Sequence, residues 1–176
     1  MKLEQYSVEN QILYSFKSVN EFAEKISYDF NLTDYSGEDT LVQFVEKLGG
    51  TIIYDDELDW YVNVKQALQI RDENDFTIHF SKYSGPLHDR FVMAHELGHY
   101  FIHSKQGKTK GFYPRKSNGI SEFQANWFAC GLLMPTKEFL DVYGVTQDEY
   151  TIAGRFMVPT KVVEMRKKQL KKHGII

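Results

Sequence analysis

At 176 residues, 42% hydrophobic and 15% aromatic, the chain can bury a sizeable core as one domain, or one domain with a small appendage, which excludes a disordered polymer. A formal net charge of −3 and a pI near 6.1 exclude nucleic-acid binding through overall charge. The single cysteine, Cys130, excludes a disulfide framework or a cysteine-built zinc cage; with no apolar signal region at the start and no membrane-length apolar window, a cytoplasmic protein without membrane contact is expected.

In chain order, Phe22, Ala23, Ile26 and Phe30 recur at helical spacing and predict a helix over Asn20–Leu32. Asp39 or Thr40 would cap a second helix, Leu41–Leu48, stopped by Gly49-Gly50. The period then changes, and Thr51–Tyr54, Trp60–Val64, Ala67–Arg71 and Phe76–Phe80 read as short strands, the last two joined by a turn over Asp72–Asp75. Pro86 suits a first helical turn, and the helix it opens should run to about Ser104. A loop over Lys105–Gly119 follows, with Pro114 in it. Ser121 would cap the next helix, which ends at Met134-Pro135, and three shorter helices are expected over Thr136–Tyr143, Gln147–Phe156 and Pro159–Lys172. Strands followed by helices make an α+β order.

Within the helix after Pro86, His95-Glu96-Leu97-Gly98-His99 is HExxH. At about 100° per residue the two histidines lie about 40° apart around the axis and one turn apart along it, so both rings can reach one ion. Glu96 lies about 60° from His99, where its carboxylate flanks the ion and can move a proton from water to a leaving amine. Chance alone gives the pattern in on the order of one such chain in a hundred. The bland alternative, ordinary helix residues with Glu96 and His99 paired, must explain why two histidines and a carboxylate sit on a helix that is apolar nearly all round. Burying them without compensation is costly, and a metal compensates.

A catalytic zinc takes three protein ligands and keeps a fourth position open. His88, His103, Glu122 and, more weakly, Asp141 are the candidates for the third. His88 lies about 10 Å further along the axis than His95. His103 would make a column of three imidazoles that closes poorly around one ion. The metzincin extension is absent, because position 102 is Ile and position 105 is Lys. Glu122 is best placed: it opens a second helix, and Ala125, Asn126 and Ala129 on its stripe let two helix axes approach. Its plain alternative is a solvated glutamate favoured by the helix dipole.

The run Arg90-Phe-Val-Met-Ala-His-Glu-Leu-Gly-His-Tyr-Phe-Ile-His103, followed by Glu122-Phe-Gln-Ala-Asn-Trp-Phe-Ala-Cys-Gly-Leu-Leu-Met-Pro135, closely resembles the ImmA/IrrE family of metallopeptidases. The stretch from Ile152 through Pro159, Val162 and Arg166 looks like that family's closing helices, with Pro159 where the family often has Ser. The resemblance covers roughly residues 40 to 170. It implies zinc on His95, His99 and Glu122, with Glu96 as general base, in a cytosolic bacterial or phage protein often encoded beside a helix-turn-helix repressor that it cleaves. The fold so implied is α+β, a small antiparallel or mixed sheet on a zincin-like helical core, ending in a helix-turn-helix-like subregion. The expected organisation is a helical extension over residues 1–38, a zinc metallopeptidase domain over 39–145, and helix-turn-helix-like helices over 146–176 packed on that domain.

Around this centre, His103 is either a helix C-terminal cap or a group that supports a ligand or an oxyanion. Asn126 is a candidate to hold a histidine tautomer. Tyr113 and Arg115 are candidate oxyanion donors, though ordinary loop residues by default. The strand Phe76–Phe80 would offer its edge to an extended substrate, His79 reads as structural, and Cys130 as a buried small hydrophobe. Lys161, Arg166, Lys167, Lys168, Lys171 and Lys172 against Glu164 keep a second class alive, a zinc-containing DNA- or partner-binding regulator or toxin component without proteolytic turnover. A solvated amphipathic helix is the favoured reading of that segment, so direct DNA binding is not. The partner expected is a protein substrate; the oligomeric state is not written in these motifs.

Overall fold

The computed structural model describes residues 15–34, 39–55, 68–113 and 119–176. The strand expected over Trp60–Val64 lies outside them, as do Pro114 and Arg115. Among the described residues the fold is α+β, as expected, with seven α-helices and a four-stranded sheet.

Helix α1 (Phe16–Asp29) begins four residues before the expected start, because Ser15 and Ser18 form a capping box. It buries Val19, Phe22, Ala23 and Ile26 at the spacing of one helical face. Helix α2 (Thr40–Lys47) is capped by the Asp39 side chain, which accepts from the Leu41 N–H. Strands β1 (Gly50–Asp55), β2 (Leu68–Asp72), β3 (Asp75–Ser81) and β4 (Gly111–Tyr113) assemble in the order β1-β3-β2-β4. β1 runs parallel to β3, while β2 pairs antiparallel with β3 and with β4.

Two sequence expectations fail here. β3 is interior, hydrogen-bonded to β1 and β2, so the Phe76–Phe80 strand has no edge to offer a substrate. The segment read as a loop after residue 105 contains β4, three residues too short to show alternation.

Helix α3 (Pro86–Gly98) carries the HExxH residues and is nearly all buried from Asp89 to Gly98, as its apolar circumference predicts. It does not continue as α-helix to Ser104. After Gly98 it widens into a π turn, His99–His103, closed by the Ser104 N–H donating to the His99 carbonyl at 2.9 Å. The chain is then stopped by Ser104, whose hydroxyl donates to the Tyr100 carbonyl and accepts from the Gly107 N–H. Left-handed backbone at Lys105, Gln106 and Gly107 turns it away toward β4.

Helix α4 (Ile120–Leu133) starts from Gly119 with no side-chain cap, so Ser121 does not cap it. Helices α5 (Thr136–Val145), α6 (Glu149–Phe156) and α7 (Thr160–Lys172) follow. α6 starts at an Asp148 cap and ends at Met157 in the left-handed region, and Pro159 precedes α7.

One buried cluster draws from Phe16 in α1 through Leu170 in α7. At its centre Phe101 meets Phe22 edge-on and Phe128 stacked, each with ring centroids 5.7 Å apart. Arg166 is fully buried in α7, where it donates to Asn20 (2.6 Å), Glu24 (3.2 Å) and Thr136 (3.0 Å). It is therefore a tie between α7, α1 and the start of α5, and not part of an exposed basic face. No helix among the described residues is long and apolar enough to cross a membrane.

Candidate metal centre

His95 and His99 project from consecutive turns of the α3–π segment, and Glu122 from the first turn of α4. Their ligand-type atoms all lie within 4.8 Å of one another. The two Nε2 atoms are 3.2 Å apart, His95 Nε2 is 3.3 Å from Glu122 Oε2, and His99 Nε2 is 3.3 Å from Glu122 Oε1. The helices approach this closely because Gly98 faces Ala125: a Cβ on Gly98 would come within 2.9 Å of the Ala125 Cα. The other candidates are not in the cluster. His88 is exposed beside Asp89, and Asp141 is an exposed partner of Lys137.

Hydrogen bonds behind the rings set which nitrogen faces the cluster. Asn126 Oδ1 accepts from His95 Nδ1 at 3.0 Å, which leaves the neutral ring's lone pair on Nε2. His99 is oriented by a longer chain. Gln124 Oε1 accepts from His103 Nε2 (3.1 Å), so His103 Nδ1 is an acceptor, and His99 Nδ1 donates to it (3.0 Å). His99 Nε2 therefore also turns a lone pair inward. His103 thus bonds both His99 and Gln124 at the end of its helical segment. Gln124 was not singled out in the sequence; it lies about 200° around the helix from Glu122, off the stripe that periodicity selects.

Electrostatics point the same way. Burial, then the neighbouring His95 and His103, hold His99 far below the usual imidazole range, so that ring stays neutral. Burial likewise lowers His103, only partly offset by Gln124 and Glu122. Burial also lowers His95, but the Glu122 hydrogen bond, the charges of Glu96 and Glu122, and Asn126 outweigh it and raise the ring overall. The carboxylates that favour positive charge at His95 would equally favour a cation held between the rings. Glu96 is 1% exposed, beside this cluster in sequence and in charge.

Tyr113, at the end of β4, brings its ring centroid to 6.1 Å from that of His99, while its hydroxyl donates to the Thr109 carbonyl. His79 pairs with Asp55 at 2.7 Å on the sheet, in agreement with a structural role, and Cys130 is buried.

The donor set suits a metal. Two imidazole nitrogens and a carboxylate are ligands zinc takes, and two inward lone pairs 3.2 Å apart repel unless a cation lies between them. Among the described residues the cluster brings together three such groups.

Comparison with known proteins agrees. Over 88 residues the chain is 33% identical to the Metallopeptidase ImmA of Bacillus subtilis (strain 168), a stretch that is 47% of this chain and 51% of that protein. The chain thus spans about half the length of the curated relative it matches. No solved structure matches. The family model for the IrrE N-terminal-like domain, peptidase family M78, matches residues 53–168, well over half of the chain and all three residues of the cluster. The chain belongs to the IrrE N-terminal-like family of peptidases.

Proposed function

We propose that this chain is a zinc-dependent endopeptidase of the ImmA/IrrE type that hydrolyses a peptide bond in a partner protein, a helix-turn-helix repressor. The observation that carries the reading is the convergence of His95, His99 and Glu122 from two helices, with Glu96 buried alongside. Three ligands with a place for a fourth is the arrangement of a catalytic site, whereas structural zinc sites are closed by four. The metallopeptidase name of the relative points the same way.

In this reading His95, His99 and Glu122 hold the ion, which when bound supplies Lewis acidity at the scissile carbonyl and brings water toward a pKa of about 7. The protein's own groups do the rest. Glu96 accepts the proton of the attacking water and passes it to the departing amine nitrogen, and its burial keeps bulk solvent from that transfer and strengthens its attraction to nearby positive charge. Asn126 and the Gln124–His103 pair hold the imidazoles in the ligating tautomers. β4 flanks the centre at Tyr113 and is bonded to β2 on one side, so it replaces β3 as the strand whose edge would receive an extended substrate. The basic helix α7 lends less to a DNA-binding reading than its composition suggests, since Arg166 is buried and Lys167 is paired with Glu149 at 2.7 Å.

Co-expression with a helix-turn-helix repressor encoded beside the chain should yield one specific fragment, lost with Glu96→Gln while that variant still copurifies with one zinc. Cleavage by Glu96→Gln would remove the general-base role. A His95→Ala or Glu122→Ala protein with wild-type zinc content would remove the ligand assignment.

A further inference from the structure

Behind the metal centre, α4 and α7 enclose a groove of about 500 Å³ that the chemistry above does not use. Its α4 wall presents Ile120, Phe123 and Trp127, and its α7 wall Met165. Ile120 is 78% exposed and Phe123 57%, so large apolar side chains stand at its mouth. The rim carries Lys161, Lys168 and Lys172 against the single carboxylate of Glu164. In a chain of formal net charge −3, this is a local excess of positive charge over an apolar floor. The groove shares a residue with the surroundings of the centre: Asn126 lines it and bonds His95, and Phe123 adjoins Glu122 in sequence.

We propose that this groove is a subsite for the protein substrate, taking a polypeptide stretch in which large apolar side chains are flanked by carboxylates. The inference rests on the peptidase reading and adds the substrate's chemical class to it. An apolar side chain between Phe123, Trp127 and Met165 buries surface on both partners, while acidic neighbours meet the lysine rim. Three lysines around a hydrophobic floor suit such a peptide better than a nucleic-acid backbone, which asks for a wider basic surface and offers nothing to fill an apolar concavity.

The test uses the full chain carrying Glu96→Gln, so that binding is read without turnover. Its probes are a fluorescein-labelled peptide alternating glutamate with leucine and phenylalanine, a counterpart with lysine for glutamate, and a labelled DNA duplex, followed by fluorescence anisotropy. The acidic peptide should bind about tenfold more tightly than the lysine peptide. Lys161→Glu with Lys168→Glu should reverse that order, and Phe123→Ser should weaken the acidic peptide by about tenfold. Equal binding of the two peptides, binding unmoved by these exposed-residue variants, or preferential binding of the duplex through the same lysines would overturn the proposal. Zinc measured in the same samples separates the two readings: metal without peptide binding sinks the groove alone, and peptide binding without metal sinks the hydrolase alone.

Discussion

Gly98 is where the geometry of the centre is most exposed to a single methyl group. A Cβ there would sit 2.9 Å from the Ala125 Cα and 3.2 Å from both the Ala125 carbonyl oxygen and the Phe128 Cβ. Carbon atoms settle at about 3.5–4.0 Å, so α3 and α4 must part by about 0.5–1 Å, and the nearest obstacle is backbone that cannot rotate away. Two effects oppose each other in Gly98→Ala. Alanine gains about 1 kcal/mol of helix propensity, and overpacking costs about 1–3 kcal/mol. With backbone as the obstacle the steric cost should win, by up to about 2 kcal/mol, or a fall in Tm of up to about 4–8 °C for a chain this size. The larger consequence is at the metal. Ligand distances tolerate about 0.2 Å, and Glu122 rides on the helix that moves, so zinc affinity should fall at least about tenfold. Thermal unfolding and competition against a chromophoric chelator read the two effects separately. Gly154→Ala in α6 is the control, since nothing lies within 4 Å of its added Cβ, and it should be neutral or stabilising by up to about 1 kcal/mol. If Gly98→Ala matched the wild type in both Tm and zinc affinity, close helix approach would not be what positions Glu122.

Three further outcomes are expected. Gln124→Leu removes the acceptor that fixes the His103 tautomer, so zinc affinity by chelator competition should fall about 10–100-fold with little change in helix content. Arg166→Met should cost about 3–5 kcal/mol in urea unfolding because it leaves the Glu24 carboxylate hydrogen-bonded to Asn20 and Thr136 but without its cation, and adding Glu24→Gln should recover part of that loss. Burial pushes the Cys130 thiol up to about 11, so native protein at about pH 8 should resist iodoacetamide until urea unfolds it.

What was legible in the sequence divides by the range of the interaction. The HExxH pair is set by one helical turn, and the helix that carries it forms where Pro86 and the apolar circumference place it. The small-residue stripe Ala125–Ala129 correctly indicated that α3 and α4 come close, although Gly98, which makes the nearest approach, was hidden inside the motif itself. Sheet order was not legible. Which strands are interior depends on pairing across the chain, and β1 lying parallel beside β3 is what removed the expected substrate edge. Helix starts were misplaced where capping serines mattered: Ser15 caps a helix begun earlier than its apolar stripe, while Ser121, a good cap by type, sits inside a helix begun at Gly119.

The least legible feature, the π turn, explains why a third histidine touches the cluster of His95, His99 and Glu122 without joining it. Had α3 kept its ordinary winding, His103 would stand about 40° around from His99, like His99 from His95, and three rings would climb the helix as a staircase. The wider turn, closed by an i to i+5 bond, rotates less per residue and brings His103 nearly beneath His99. Its Nδ1 then meets the His99 Nδ1 at 3.0 Å rather than the His99 face that looks toward Glu122. A histidine so placed is behind the cluster, with its other nitrogen tied to Gln124 on α4. One local change of helical pitch therefore takes a residue that the spacing offers as a candidate third ligand and sets it behind His99, bonded to that ring rather than grouped with His95, His99 and Glu122.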